Sequence, residues 1–275
     1  MDFIHQLCSA WDKNNSLLCV GLDPDFERLP TSIQGSDAPY FSFNKEIIDA
    51  TADLVCAYKP NSAFYEARGA TGIQELQLTC AYIQENYPFI PIILDFKRGD
   101  IGNTNQQYAR FAFDYIGADA VTIQPWCGAE SVQAFLDYKD KGIIVLVRTS
   151  NPGAKEFQDL EVNGEKLYIS VAKNIRDDWN KNGNCLLVVG ATYPNEMRKI
   201  RRLMGDGMIF LVPGLGVQGG DLKEVLKAGL NSSGSGLIIN SSREVIFASK
   251  TNFAEAARAK AEELKNAINE RRGSL

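Results

Sequence analysis

Eight times along this chain a short, near-continuous apolar run ends in polar or glycine-rich residues, and helix-like patterns fill the intervals. The runs are 17–23, 54–61, 89–97, 118–125, 142–149, 184–191, 208–214 and 236–243. Most are apolar throughout rather than alternating, as expected of strands covered on both faces. The helix-like patterns are 43–52, 72–85, 104–116, 129–139, 165–181, 195–203, 221–228 and 252–272. The last is rich in Ala, Glu, Lys and Arg and opens at Asn252, a good N-cap residue. This repetition predicts an α/β fold, a (β/α)8 TIM barrel, with an open doubly wound sheet as the alternative. At 275 residues and 45% hydrophobic, the chain can bury a large core. No low-complexity linker divides it, so a single domain over 1–275 is expected. The polar stretch 151–164 reads as a solvated loop, with a lid as the alternative.

A net charge of −5 leaves no basic footprint for a nucleic-acid backbone. An anionic ligand would have to be held by a few placed cations and backbone amides. His5 is the only histidine, which removes multi-histidine metal sites and any Ser-His-Asp or Cys-His catalysis not built on His5 itself. The six cysteines (8, 19, 56, 80, 127 and 185) are scattered without a C-x-x-C pair and read as reduced thiols. The opening MDFIHQLCSAWDKNNS lacks the apolar core of a secretory signal. No segment reaches the roughly 18 uninterrupted apolar residues of a membrane span. A soluble, cytoplasmic protein with neither nucleic acid nor membrane as partner is expected.

The segment LDFKRGDIGNT, 94–104, carries the most chemistry. Asp95 and Lys97 are two apart, so an extended backbone projects them from one face. Asp100 and Thr104 follow in a glycine-containing turn. An ammonium between two carboxylates at the end of a buried strand is costly to build without a use. Flanked by Asp95 and Asp100, Lys97 is expected to stay protonated. It would then be a poor base but a good proton donor and a good stabiliser of a developing carbanion. An ion-pair belt at the barrel mouth is the purely structural use of the same residues.

Other polar residues gather at the trailing ends of the runs: Asp23, then Lys59 and Asn61, then Thr149 and Ser150, then Pro213 and Gly214, then Asn240 and Arg243. In a barrel those ends converge on one mouth. VPGLGVQGGD, 212–221, offers the flexible Gly214 and Gly216, with Gln218 beside them, and Arg243 brings a guanidinium fork. Loops after strands seven and eight are the usual phosphate site of barrels. The hydroxyls of Thr149 and Ser150 suit the edge of a heterocycle, or simply open a turn. Trp11 and Trp126 read as packing residues.

Together D-x-K-x-x-D-I-x-x-T at 95–104, VGLDPD at 20–25, AYKPN at 57–61, PG-x-G at 213–216 and SSR at 241–243 resemble the orotidine 5′-phosphate decarboxylase family. TSNPG and the chain length resemble its longer-chain bacterial branch, type 2. The resemblance implies a carboxy-lyase that converts orotidine 5′-monophosphate to UMP and CO2, the last step of de novo pyrimidine synthesis, without metal or organic cofactor. It implies a homodimer in which the residue matching Asp100 is lent to the neighbour's site. It makes Lys97 the proton donor to C6, oriented by Asp95 and Asp100. Asp23 and Lys59 match ribose contacts, Gln218 and Arg243 phosphate contacts, and Thr149 or Ser150 the reader of the pyrimidine. Asn61, Ile101, Thr104, Pro213, Gly214, Gly216 and Asn240 complete the expected substrate-binding set. The chain departs from the family pattern at Gln124-Pro125-Trp126, where Asn-Pro-aromatic is expected, and at Arg148, where Lys is common. Two rivals stand beside this reading: a Mg²⁺-dependent sugar-phosphate aldolase or keto acid decarboxylase of the same superfamily, and a non-catalytic nucleotide-binding barrel.

Overall fold

The computed structural model of the chain describes residues 1–215 and 221–274. Its main sheet has eight parallel strands: β1 Leu18–Leu22, β2 Ala57–Pro60, β3 Ile93–Arg98, β4 Ala120–Ile123, β5 Gly142–Arg148, β6 Cys185–Val189, β7 Phe210–Val212 and β8 Leu237–Ser241. They pair in the order β2-β1-β8-β7-β6-β5-β4-β3. The two ends of that order meet through parallel bridges between Tyr58 and Ile92 and between Asn61 and Asp95. The sheet therefore curls into a nearly closed barrel, and the open doubly wound alternative falls. Buried apolar residues of all eight strands belong to one cluster. Every residue of β1 and of β6 is buried, which is why these strands read as unbroken apolar runs.

Three segments differ from the sequence reading. The opening residues form a helix, Phe3–Asn14, that the strand–helix repeat did not anticipate. Asp2 caps it by accepting the His5 N–H, and Phe3, Leu7, Ala10, Trp11 and Asn14 are buried at helical spacing. The helix lies across the N-terminal ends of the strands. The Phe3 ring occupies the space where a side chain on Gly142 would sit, 2.4 Å from an ideal Cβ. Second, residues 151–164 are not a bare loop. They hold a 3-10 turn, Pro152–Glu156, and half of a small hairpin in which Glu161–Val162 pairs with Glu165–Lys166. Asn163 and Gly164, both left-handed at φ 54° and 82°, make its turn. Third, the helix expected over 165–181 begins only at Leu167, because the hairpin consumes Glu165 and Lys166.

Candidate active site

Every trailing strand end opens on one cavity of about 520 Å³, a size that suits a small-molecule ligand. Asp95 is its electrostatic centre. Its Oδ1 accepts from Lys97 Nζ at 2.6 Å and from the Thr122 hydroxyl at 2.7 Å. Its Oδ2 accepts from Lys59 Nζ at 3.0 Å and from Asn61 Nδ2 at 3.5 Å. Asp23, at the end of β1, accepts the backbone N–H of Asn61 at 3.2 Å. Burial disfavours the Asp95 charge, yet the ammonium groups of Lys59 and Lys97 outweigh it and hold the carboxyl below its ordinary range. Burial likewise works against Lys59, but Asp95 and then Asp23 hold its pKa above the ordinary lysine value. The Lys59 side chain is 5% exposed and that of Lys97 47%, so of the two cavity-lining lysines Lys97 is the more open.

Two further walls complete the cavity. Thr149, Ser150, Asn151 and Gln158 line one side. The Thr149 hydroxyl donates to Asn151 Oδ1 at 2.7 Å and accepts from Gln158 Nε2 at 2.9 Å, while Gln158 Oε1 takes the Thr149 N–H at 2.9 Å. Gln158 is anchored in turn by Arg148, which is fully buried, paired with Asp159 at 3.2 Å and stacked 3.7 Å from the Tyr193 ring. Gly190 lets Ser150 approach closely, since an ideal Cβ there would lie 2.7 Å from the Ser150 backbone. Opposite stand Pro213, Gly214, Asn240, Ser241, Ser242 and Arg243. Gly214 adopts φ 96°, a conformation that favours glycine.

A family model for "Orotidine 5′-phosphate decarboxylase / HUMPS family" matches residues 16–259. The chain belongs to this family. The orotidine 5′-phosphate decarboxylase of Cellvibrio japonicus is 54% identical to it over 272 residues, 98% of each chain. The structure of Leishmania donovani OMP decarboxylase is 38% identical and superposes with a TM-score of 0.87, covering 99% of this chain and 100% of that one. Leishmania donovani UMP synthase is 40% identical with a TM-score of 0.87, and there this chain spans only 57% of the other's length.

Within this decarboxylase-family barrel, Asp23, Lys59, Asn61, Asp95, Lys97, Thr149, Ser150, Pro213, Gly214, Asn240 and Arg243 all line the one cavity. Asp100, Ile101 and Thr104 do not. Within one chain, among the described residues, Lys97 pairs with Asp95 alone, and Asp100 does not reach it. The chain swings away after Lys97. Buried Asn105 pins the turn by accepting the Asp100 N–H at 2.9 Å and donating to the Asp100 carbonyl at 2.6 Å. Ile101 is left 59% exposed. Gly216 and Gln218 lie outside the described residues. Sequence reasoning missed Thr122 and Gln158. Thr122, the one polar residue of β4, carried a signal in its strand register; Gln158, inside a segment read as loop, carried none.

Proposed function

We propose that this chain is a carboxy-lyase that converts orotidine 5′-monophosphate to UMP and CO2 in pyrimidine biosynthesis, with no metal or organic cofactor. The Lys59–Asp95–Lys97 row at the cavity floor is the observation that carries this reading, and membership of the family supports it. Breaking the bond from C6 to its carboxylate releases CO2 and leaves the electron pair on C6. No cofactor delocalises that pair, so a preorganised cation must stand beside it. Lys97, fixed by Asp95 at 2.6 Å, supplies that charge and then gives C6 its proton. Asp95 also places negative charge next to the departing carboxylate, and contacts to ribose and phosphate provide the binding energy that holds the substrate there.

In this assignment Asp23 and Lys59 hold the ribose hydroxyls, and Arg243 and Gln218 hold the phosphate together with Pro213, Gly214 and Gly216. Thr149, whose hydroxyl donates to Asn151 and accepts from Gln158, or its neighbour Ser150 reads the pyrimidine. Asn61 and Asn240 complete the lining. The chain acts as one cytoplasmic domain over 1–275 and pairs as a homodimer. The outward turn carrying Asp100, exposed Ile101 and Thr104 supports that pairing, because it points these residues away from their own cavity and makes them available to a second copy.

The Mg²⁺-dependent alternative needs Asp95 as a metal ligand. Both Asp95 oxygens instead face ammonium groups, which repel a dication. A spectrophotometric decarboxylation assay on orotidine 5′-monophosphate in excess EDTA tests the proposal. Undiminished turnover is expected. Absent turnover, or turnover lost in EDTA and restored by Mg²⁺, overturns it.

A further inference from the structure

The register between β3 and β4 is broken just where the reactive pair sits. Leu94 lies opposite Val121, but the next aligned pair is Arg98 and Ile123. Residues 95–97 of β3 therefore face the single residue Thr122 of β4. A bulge of this kind re-aims side chains and leaves backbone groups without their ladder partners. Here Lys97 takes φ 43°, a left-handed conformation unusual for a residue with a side chain. Something outside the ladder has to hold it there.

Thr122 does so with one hydroxyl. Its Oγ1 accepts the Lys97 backbone N–H at 3.1 Å and donates to Asp95 Oδ1 at 2.7 Å, the same oxygen that receives Lys97 Nζ at 2.6 Å. The Thr122 side chain is 1% exposed, and its bond to Asp95 is buried. Removing the hydroxyl would take the partner from the part-buried Lys97 N–H and free Asp95 Oδ1 on one side.

We propose that Thr122 is a positioning residue for proton transfer, pinning the bulged 95–97 segment so that the Lys97 amine meets the substrate carbon. This rests on the decarboxylase reading above. Thr122→Val keeps the shape and removes the hydroxyl; Thr122→Ser keeps the hydroxyl. For orotidine 5′-monophosphate, kcat of Thr122→Val should fall roughly 10- to 100-fold, the scale of an ångström-sized misplacement, with KM and UMP affinity within about twofold. Thr122→Ser should return kcat to within about threefold of wild type. Undiminished kcat in Thr122→Val, or equal losses in the Ser and Val variants, would overturn the role while active wild type leaves the decarboxylase reading standing. A crystal structure of Thr122→Val, or of Thr122→Ala should the Val variant not fold, reads the geometry whatever the turnover. Displacement of Lys97 from its left-handed φ and of its amine from Asp95 is expected. An unmoved Lys97 would sink the proposal even if wild type proved inactive on this substrate.

Discussion

Both ends of the barrel bury a cation, and they satisfy it in opposite ways. At the N-terminal ends of β7 and β8, Arg201 of the helix Pro194–Met204 is 8% exposed and, among the described residues, donates only to neutral carbonyls. These belong to Gly229 at 2.8 Å, Gly205 at 2.9 Å, Met208 at 2.5 Å and Gly236 at 3.1 Å, and the Phe210 ring lies 3.9 Å from the guanidinium. At the mouth, Lys59 and Lys97 share a carboxylate instead. Carbonyl dipoles tie three segments together and present no charge to a ligand. A carboxylate between two ammoniums holds alternating full charges in fixed places, which does little for stability but is what a reaction with a charged transition state can use. One end is built to hold the fold, the other to hold charge.

Truncating the mouth lysine breaks this contrast most visibly. Lys97→Ala should cost turnover several orders of magnitude, roughly 10⁴-fold, because both the cation and the proton donor disappear. UMP binding, measured by calorimetry, should survive. Wild-type turnover in Lys97→Ala would mean that the charged row is idle and would favour a non-catalytic nucleotide barrel. Arg243→Ala, on the wall proposed to hold the phosphate, should mainly raise KM, by roughly 10- to 100-fold, with a smaller loss in kcat. Equal losses in both parameters for both variants would erase the division between chemistry and grip.

The opposite end should answer only in stability. Arg201→Met removes the donor to four backbone acceptors and should cost about 2–4 kcal/mol, read as a melting point lower by several degrees, with kcat unchanged. A large kcat loss at intact stability would tie the two ends together.

The same contrast governs what could be read from sequence. Buried strands announce themselves because both faces are apolar, so the eight runs were visible, and so were the polar residues at their trailing ends. Arg201, by comparison, reads as one more charge on a helix, since its partners are carbonyls that any residue supplies. Thr122 stands out only as the one polar residue of β4, because its contacts depend on a register shift between two strands. Spacing alone puts Asp100 beside Lys97 of its own chain. The left-handed turn at Lys97 and the anchor at Asn105 take it elsewhere. Asn163-Gly164 was a legible hairpin signal hidden inside a stretch read as loop.

The smallest effect concerns acid. Asp95 titrates below its ordinary 3.8, because the two ammoniums outweigh the burial that opposes its charge. Its stabilising contribution is therefore present above pH 3.8 and lost as pH falls through the lower folded value. Lys59 is raised above 10.5, so its contribution is complete below that pH and lost only as pH rises through the higher folded value. Between roughly pH 5 and 9 neither group changes charge. The melting-point gap between wild type and Asp95→Asn should be flat across that window and should narrow as the solution falls below about pH 4. The gap between wild type and Arg201→Met should show a much weaker acid limb, because the acceptors of Arg201 are carbonyls and the carboxyl of nearby Asp206 is held low chiefly by Ser232, with Arg201 a smaller cause. A wild-type–Asp95→Asn gap that slopes between pH 6 and 8 would place a titrating group inside the charged row. It would also end the claim that the mouth keeps its alternating charges fixed at neutral pH.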